Sequence, residues 1–416
     1  MDIAVIDADL LGRTNHRFPN LVCMKLSAYW KERGKHVELK TDYENLEAYE
    51  KVYIAKVFTD TYCPITLDNF KQFPNVEIGG TGFWFDKAPN LPDDIEHHKP
   101  DYHLYDDWIE MKVAEARAEA ESVAFKKTEA LRDKRRKEGG LPEDIEPIKS
   151  SFNEARFRIQ FKEYTDYSIG FLTRGCIRKC PFCVNRKYDH VFEHSPLDEF
   201  YDETRKKICL LDDNFFAYRK GYKKLLQEVQ SKNKPYKFKQ GMDERLLDDE
   251  QCQMLFNSKY DGDFTFAFDN VRDYPVIQRQ LERISKYRSK RKGVMFYVLV
   301  GFESTDAKDI ENAFIRIDLL LQYGCLPYIM RYRSKTGSPW RVSKYKGMYV
   351  TLARWCNQPN IIKKMTFREF CVANQELHKT IGTYCSAMKA LIEFEAEYPM
   401  IAERYFDVRF VPHEVK

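Results

Sequence analysis

The stretch GFLTRGCIRKCPFCVNRK, Gly170 to Lys187, places three of the chain's eleven cysteines within eight residues. The spacing is Cys176-x3-Cys180-x2-Cys183, with Pro181 inside it and Phe182 just before the third thiol. Three thiolates at this spacing fit on one compact loop and can face one centre. A structural zinc site wants a fourth protein ligand, often from a second close pair, and no such pair lies nearby. A thioredoxin-like redox pair is a CxxC at a helix start; Cys180-Pro-Phe-Cys183 has that form but leaves Cys176 unexplained. An iron–sulfur cluster held by three cysteines uses all of them and leaves one iron open.

The surroundings of this loop alternate strand and helix. YSIGFLTRG reads as a strand entering it. KICLLDDNFF, KFKQGMDERL, FTFAFDN, GVMFYVLVGF and LPYIMRY read as five more. YKKLLQEVQSKN, DDEQCQMLFNSKY, PVIQRQLERISKYRSK and DAKDIENAFIRIDLLLQYG read as the helices between them, with Asp248 or Asp249 capping one and Pro275 in the first turn of another. Six strands with helical or turn crossovers over residues 166–332 imply an open or partial barrel, since eight units do not fit. Ligands of such a sheet gather at the carboxyl ends of its strands.

Residues 1–107 read as a separate open α/β unit. Its strands are MDIAVID, HVELKTD, KVYIAKVF and NVEIGGTGF, with a helix over FPNLVCMKLSAYWKERGK. A charged segment, 108–165, follows as an insertion or linker. Small and apolar residues at Ile109, Val113, Ala116, Ala120 and Val123 mark a narrow stripe on a long helix ending at Gly139-Gly140. Residues 333–416 read as mainly helical and aromatic-rich, without a clear motif. The fold class expected is therefore α/β: a Rossmann-like open parallel sheet, an inserted charged helix, a partial (β/α)6 barrel and a helical C-terminal part.

Composition narrows the classes. The apolar fraction of 43% supports packed cores, and 32% charged residues give a well-solvated surface. A net charge of +4 is small for 416 residues and does not by itself favour nucleic acid or an anionic membrane as partner. No apolar run reaches the roughly 18 residues of a spanning helix. The acidic start is a poor signal peptide, and scattered cysteines such as Cys23, Cys209, Cys252 and Cys325 fit reduced, buried thiols, so the expected location is the cytoplasm.

The cysteine spacing, the aromatic at Phe182 and the strand before the loop together resemble the signature of the radical S-adenosylmethionine (radical SAM) superfamily. The resemblance implies a [4Fe–4S] cluster ligated by Cys176, Cys180 and Cys183, with SAM chelated to the open iron. One electron then cleaves SAM to a 5′-deoxyadenosyl radical that abstracts hydrogen from a substrate. Phe182 would lie against the SAM adenine, beside the Leu299-Val300-Gly301-Phe302 segment. Where the family often carries Gly-Gly-Glu for the SAM ammonium, this chain has Asp212-Asp213-Asn214, whose carboxylates could serve instead. Gln240 and Asp269 sit at strand ends, where they meet the SAM ribose or substrate or cap the next helix. Arg331 could contact a carboxylate, and Arg174 and Arg178 flank the loop. A low-potential flavodoxin or ferredoxin is the implied electron donor.

The order of an α/β domain before the barrel resembles the cobalamin-binding class of that superfamily, and AKVFTDTY, VEIGGTGF and PDYHLY resemble members described only as Fe–S oxidoreductases. Asp-x-His-x-x-Gly is the cobalt-ligating motif of that domain. Here it reads Asp7-Ala-Asp9-Leu-Leu-Gly12, with aspartate in place of histidine, although binding without a protein ligand occurs in the class. Gly79-Gly80-Thr81-Gly82 either admits a flat ligand or shapes a turn, and His16 lies near the same loop. With cobalamin, the implied chemistry is methyl transfer; without it, rearrangement, oxidation or thiolation. A non-catalytic Fe–S or metal-binding protein with a redox or structural role is the competing class. Cys356, Cys371 and Cys385 lack the close pair of an auxiliary cluster. The basic, aromatic run RYRSKTGSPWRVSKYKGMYVTLARW could hold nucleic acid, though surface solvation is the plainer reading.

Overall fold

The computed structural model describes residues 2–14, 16–289, 292–334, 337–378 and 383–413. The chain divides into two units: residues 1–169 with 198–206, and residues 170–197 with 207–416. Segment 108–165 lies wholly within the first.

The first unit is built on a four-stranded parallel sheet in the order β2-β1-β3-β4, with β1 Ile3–Asp7, β2 Val37–Leu39, β3 Lys51–Ala55 and β4 Val76–Gly79. β1 is buried along its whole length, as a central parallel strand covered on both faces must be. One face packs against the helix Leu21–Glu32, whose Asn20 side chain caps the first turn. The crossovers from β2 to β3 and from β3 to β4 contain only single 3-10 turns. Hence the second face is closed by loop side chains such as Leu46, Cys63 and Ile65.

The charged segment is mostly one helix, Asp106–Lys137, about 48 Å long by its 32 residues, followed by short helical turns up to Thr165. Its stripe runs Ile109, Val113, Ala124 and Thr128, with Val123 exposed. The expected stripe drifted off the buried side because a strict 3.5-residue rhythm outruns a straight 3.6-residue helix. The first turns are anchored by rings: Trp108 and Tyr105 pack on Phe161 and Tyr164. Further along, Thr128 Oγ1 accepts from Ile148 N at 2.9 Å, so the following loop runs back along the helix.

The second unit begins at Gly170, the last residue of β5 Tyr167–Gly170. A two-residue hairpin, β6 Thr173–Arg174 with β7 Phe192–Glu193, encloses the thiol loop. Then come β8 Lys207–Leu210, β9 Tyr236–Phe238, β10 Phe264–Ala267, β11 Val294–Val300 and β12 Leu326–Arg331. Gly170 O accepts from Leu211 N, β8 pairs with β9, and β10, β11 and β12 pair in sequence order, all parallel. Bridges Tyr236–Tyr260 and Met242–Phe266 carry the curve from β9 to β10. The result is an open parallel barrel wall. β11 alternates buried and half-buried residues because one face meets the helices and the other lines the interior.

The helices fall where the sequence places them. Asp248 caps Asp249–Phe256 with a full capping box, and Pro275 sits in the first turn of Tyr274–Tyr287. Ala307–Gln322 covers β11 and β12. The C-terminal part packs Lys346–Cys356, Phe367–Leu377, Ser386–Glu397 and Pro399–Tyr405 around Phe314, Phe367, Phe394 and Phe406. Among the described residues, no helix is long and apolar enough to cross a membrane.

Candidate functional site

The thiol loop leaves the end of β5 and lies over the carboxyl end of β8. Polar strand-end residues tie it there. Asp212 is buried, and its Oδ1 accepts from Thr173 N and Thr173 Oγ1, both at 2.6 Å, while Oδ2 accepts from Leu172 N at 3.3 Å. Asp213 reaches both ends of the loop: Oδ2 accepts from Gly175 N at 2.9 Å and Oδ1 from Asn185 Nδ2 at 2.6 Å. Burial pushes Asp212 up to about 7 and raises Asp213, the hydrogen bonds opposing it. The two carboxylates expected to meet the SAM ammonium thus also accept hydrogen bonds from the loop's own N–H and hydroxyl groups.

Asn214 faces the first thiol. Its Nδ2 donates to Cys176 Sγ at 3.3 Å and lies 3.5 Å from Asp243 Oδ2, while its buried Oδ1 has no partner. Backbone N–H groups also aim at sulfur: Arg178 N at Cys176 Sγ and Asn185 N at Cys183 Sγ, each 3.3 Å. Gly175, at φ 89°, lets the chain turn into the loop where a side chain would strike the His190 carbonyl. All three thiols are free and half-buried. Burial raises Cys180 and Cys183, and repulsion among the thiols adds to it.

Cys180-Pro-Phe-Cys183 lies in a turn with no helix starting at it. Among the described residues no three His, Cys, Asp or Glu side chains converge on one point, which holds for the three loop thiols as they stand and for Cys356, Cys371 and Cys385 alike.

A cavity of about 160 Å³ opens beside the loop. Its walls include Cys180, Phe182, Asp269, Leu299, Phe302 and Arg316. Phe182 meets Phe302 edge-on at 5.4 Å, so an apolar wall extends from the thiol loop to the end of β11. Burial raises Asp269 to about 6, with the Arg316 guanidinium pulling the other way. Gly301 does not line the cavity; at φ 71° it turns the chain past the Trp340 side chain, and its N–H donates to Asp309 Oδ2 at 2.8 Å. Gln240 is exposed and stands apart from the cavity.

Sequence reasoning passed over two groups. Arg316 is buried, and its Nη1 donates to the carbonyls of Phe268, Asp269 and Leu299 at 2.8–3.0 Å. It stitches the ends of β10 and β11 together beneath the cavity, and burial lowers it to about 10. A lone arginine among Ala313, Phe314, Ile317 and Leu320 was the available signal. The second is Asp243, held between Arg178 Nε at 2.8 Å and Arg245 Nε at 2.6 Å. Arg178 is therefore a strut between the loop and β9. Arg174 lies over the Phe171 ring at 4.1 Å.

In the first unit, Asp7 caps the turn Ala8–Gly12 and accepts from Tyr105 OH at 2.8 Å; burial lifts it to about 7. Asp9, at the position of the cobalt-ligating histidine, is buried and fully engaged. It accepts from Val57 N at 2.6 Å, from Phe58 N at 3.3 Å and from Thr61 Oγ1. Gly80, at φ 99°, and Gly82 are packed against Lys56, whereas Gly79 faces open space. His16 rests edge-on to Phe58, and burial lowers its pKa.

No family model and no curated protein matches the chain. Several solved structures are similar to it, two of them as follows. One is the radical SAM methyltransferase TsrM from Kitasatospora setae, with cobalamin and a [4Fe–4S] cluster bound. It matches at a TM-score of 0.46 and 12% identity, over 82% of this chain and 77% of that one. The other is the cobalamin-dependent SAM radical enzyme OxsB, with aqua-cobalamin and SAM bound. It matches at a TM-score of 0.34 and 12% identity, over 99% of this chain and 57% of that one.

Proposed function

We propose that the protein is a radical SAM enzyme whose Cys176, Cys180 and Cys183 hold a [4Fe–4S] cluster. The observation that carries this is the loop itself. Three free thiols sit at the carboxyl end of a parallel barrel wall, with backbone and Asn214 N–H groups aimed at two of their sulfurs and a cavity alongside. N–H···S bonds and soft thiolate donors suit an iron–sulfur cluster, and three ligands leave one iron of four without a protein ligand. When bound and reduced, such a cluster supplies the electron that splits the sulfonium C–S bond of SAM, yielding a 5′-deoxyadenosyl radical that takes hydrogen from a substrate.

The chain's own residues supply position and shelter. Phe182, Leu299 and Phe302 offer the apolar wall for an adenine, and Asp269 an acceptor for a ribose hydroxyl. Asp212 and Asp213 hold the loop. The unpartnered Asn214 Oδ1 is an acceptor open to a donor on the bound cofactor. Asp9 is tied down by Val57 N, Phe58 N and Thr61 Oγ1, and ligating the cobalt of a corrinoid in the first unit would compete with those bonds. A low-potential flavodoxin or ferredoxin is the reductant this chemistry requires.

The test is anaerobic reconstitution with iron and sulfide, followed by electron paramagnetic resonance of the reduced protein with and without SAM. The expected result is four irons per chain, lost in Cys176→Ala, and a signal that changes when SAM binds. A signal indifferent to SAM favours a structural or sensing cluster. Corrinoid retained on the purified protein would make the reaction a cobalamin-dependent methyl transfer.

A further inference from the structure

After β9 the chain crosses toward β10, where Met242 N donates to Thr265 O at 2.9 Å and Met242 bridges to Phe266. The next residue, Asp243, is buried and reaches the thiol loop. Its Oδ2 accepts from Arg178 Nε at 2.8 Å and lies 3.5 Å from Asn214 Nδ2. The same Asn214 amide donates to Cys176 Sγ at 3.3 Å, and Arg178 N donates to that sulfur at 3.3 Å. These contacts close a ring: Cys176 sulfur, Asn214 amide, Asp243 carboxylate, Arg178 guanidinium, Arg178 N–H and the sulfur again. Both N–H groups aimed at Cys176 therefore belong to residues that meet one carboxylate.

The other oxygen looks away from the loop. Asp243 Oδ1 accepts from Arg245 Nε at 2.6 Å, and Arg245 Nη1 donates to Asp273 Oδ2 at 2.8 Å. Arg245 and Asp273 line the cavity. Four charges of alternating sign thus run from the loop to the cavity wall: Arg178, Asp243, Arg245 and Asp273. Asp243 is the member most withdrawn from water, with 7% of its side chain exposed against 37% for Arg178 and 34% for Asp273. Two guanidiniums keep it ionised, and a buried charge is screened least. The charges and hydrogen bonds around an iron–sulfur cluster set its potential: a nearby anion opposes the uptake of an electron, and a nearby cation favours it.

We propose that Asp243 is a positioning residue for the cluster: it holds the Asn214 amide and Arg178 against Cys176, and its charge lowers the potential at which the cluster takes an electron. This rests on the [4Fe–4S] reading of the thiol loop and not on SAM cleavage. A strut without an electrostatic role behaves differently. Removing either Asp243 or Arg178 would then loosen the same contact and move the potential in the same direction, whereas opposite charges move it in opposite directions.

The experiment is a redox titration, read by electron paramagnetic resonance, of the full chain carrying its reconstituted cluster in the absence of SAM. Wild type is compared with Asp243→Asn, Asp243→Glu, Arg178→Gln and Asp273→Asn, each checked for four irons per chain. The expected result is a higher midpoint potential in Asp243→Asn, a roughly tenfold or larger shift of the reduction equilibrium. Arg178→Gln should move it lower and by less, since its guanidinium is more exposed. Asp243→Glu, which keeps the charge, and Asp273→Asn, two links further off, should stay near wild type. An unchanged potential in Asp243→Asn, or shifts of one sign in Asp243→Asn and Arg178→Gln, overturns the proposal. Where one of these two takes up no iron, the sign of the other decides; loss of the cluster from both makes the pair a structural strut and also overturns it. A wild type that takes up no four-iron cluster defeats the radical SAM reading and this proposal with it. A protein that shows the opposed shifts yet never cleaves SAM defeats the catalytic reading and leaves Asp243 in its role.

Discussion

Asp213→Ala should loosen the thiol loop before any iron is present. The carboxylate is mostly buried and bonds one end of the loop at Gly175 N and the other at Asn185 Nδ2. Each bond to a charged acceptor contributes about 1.5–3 kcal/mol. Burial raises the Asp213 pKa, so part of that gain is already offset by desolvation. A net local loss of about 2–4 kcal/mol follows, equivalent to a roughly 30- to 700-fold larger open population of the loop. Trypsin reports it directly, because Lys179, Arg186 and Lys187 are cleavage points that require an opened loop. In the protein without cluster, cleavage between Arg174 and Lys187 should accelerate by that factor in Asp213→Ala and less in Asp213→Asn. Elsewhere the cleavage pattern should not change. Equal rates for wild type and Asp213→Ala would refute the assignment of Asp213 as the clamp.

Other residues make separate claims. Arg316→Met leaves three strand-end carbonyls unpaired in the core and should cost about 3–5 kcal/mol in urea unfolding, with Arg316→Lys recovering part; a loss under about 1 kcal/mol would contradict the stitch. Asp7 and Asp212 hold their protons up to about pH 7 when folded, but release them near pH 4 when unfolded. The folded chain therefore binds more protons in that window, and stability falls as pH rises from about 4 to about 7. Asp7→Asn and Asp212→Asn should each flatten the fall in urea midpoint between pH 5 and pH 8; a wild-type midpoint higher at pH 8 would contradict both assignments. Asn214→Leu removes an N–H···S bond that favours the more negative, reduced cluster. Its midpoint potential, read by a redox titration of the reconstituted protein, should move lower, and an unchanged potential would count against the contact.

The regular architecture was legible because it is local. Alternating strands and amphipathic helices announce themselves by period, and a cap such as Asp248 is written within four residues. The thiol loop was legible for the same reason, since its three cysteines lie within eight positions. Functions of the polar strand ends were not. Asp212, Asp213 and Asn214 reach partners 28 to 40 residues earlier, and only the parallel pairing of strands brings those together. Asp9 looked like a displaced metal ligand, yet it brackets a loop some 50 residues downstream. Arg316 and Asp243 were hidden because their partners are carbonyls and side chains from other strands. The long helix was visible, but its buried side depended on where residues 141–148 fold back.

The measurement that bears most directly on the account is SAM cleavage. Anaerobically purified protein, reconstituted with iron and sulfide, is mixed with dithionite and SAM, and 5′-deoxyadenosine is quantified by mass spectrometry beside Cys176→Ala. The account predicts product from the wild type and none from the variant. A wild-type protein with a loaded, reducible cluster and bound SAM that yields no 5′-deoxyadenosine would contradict it.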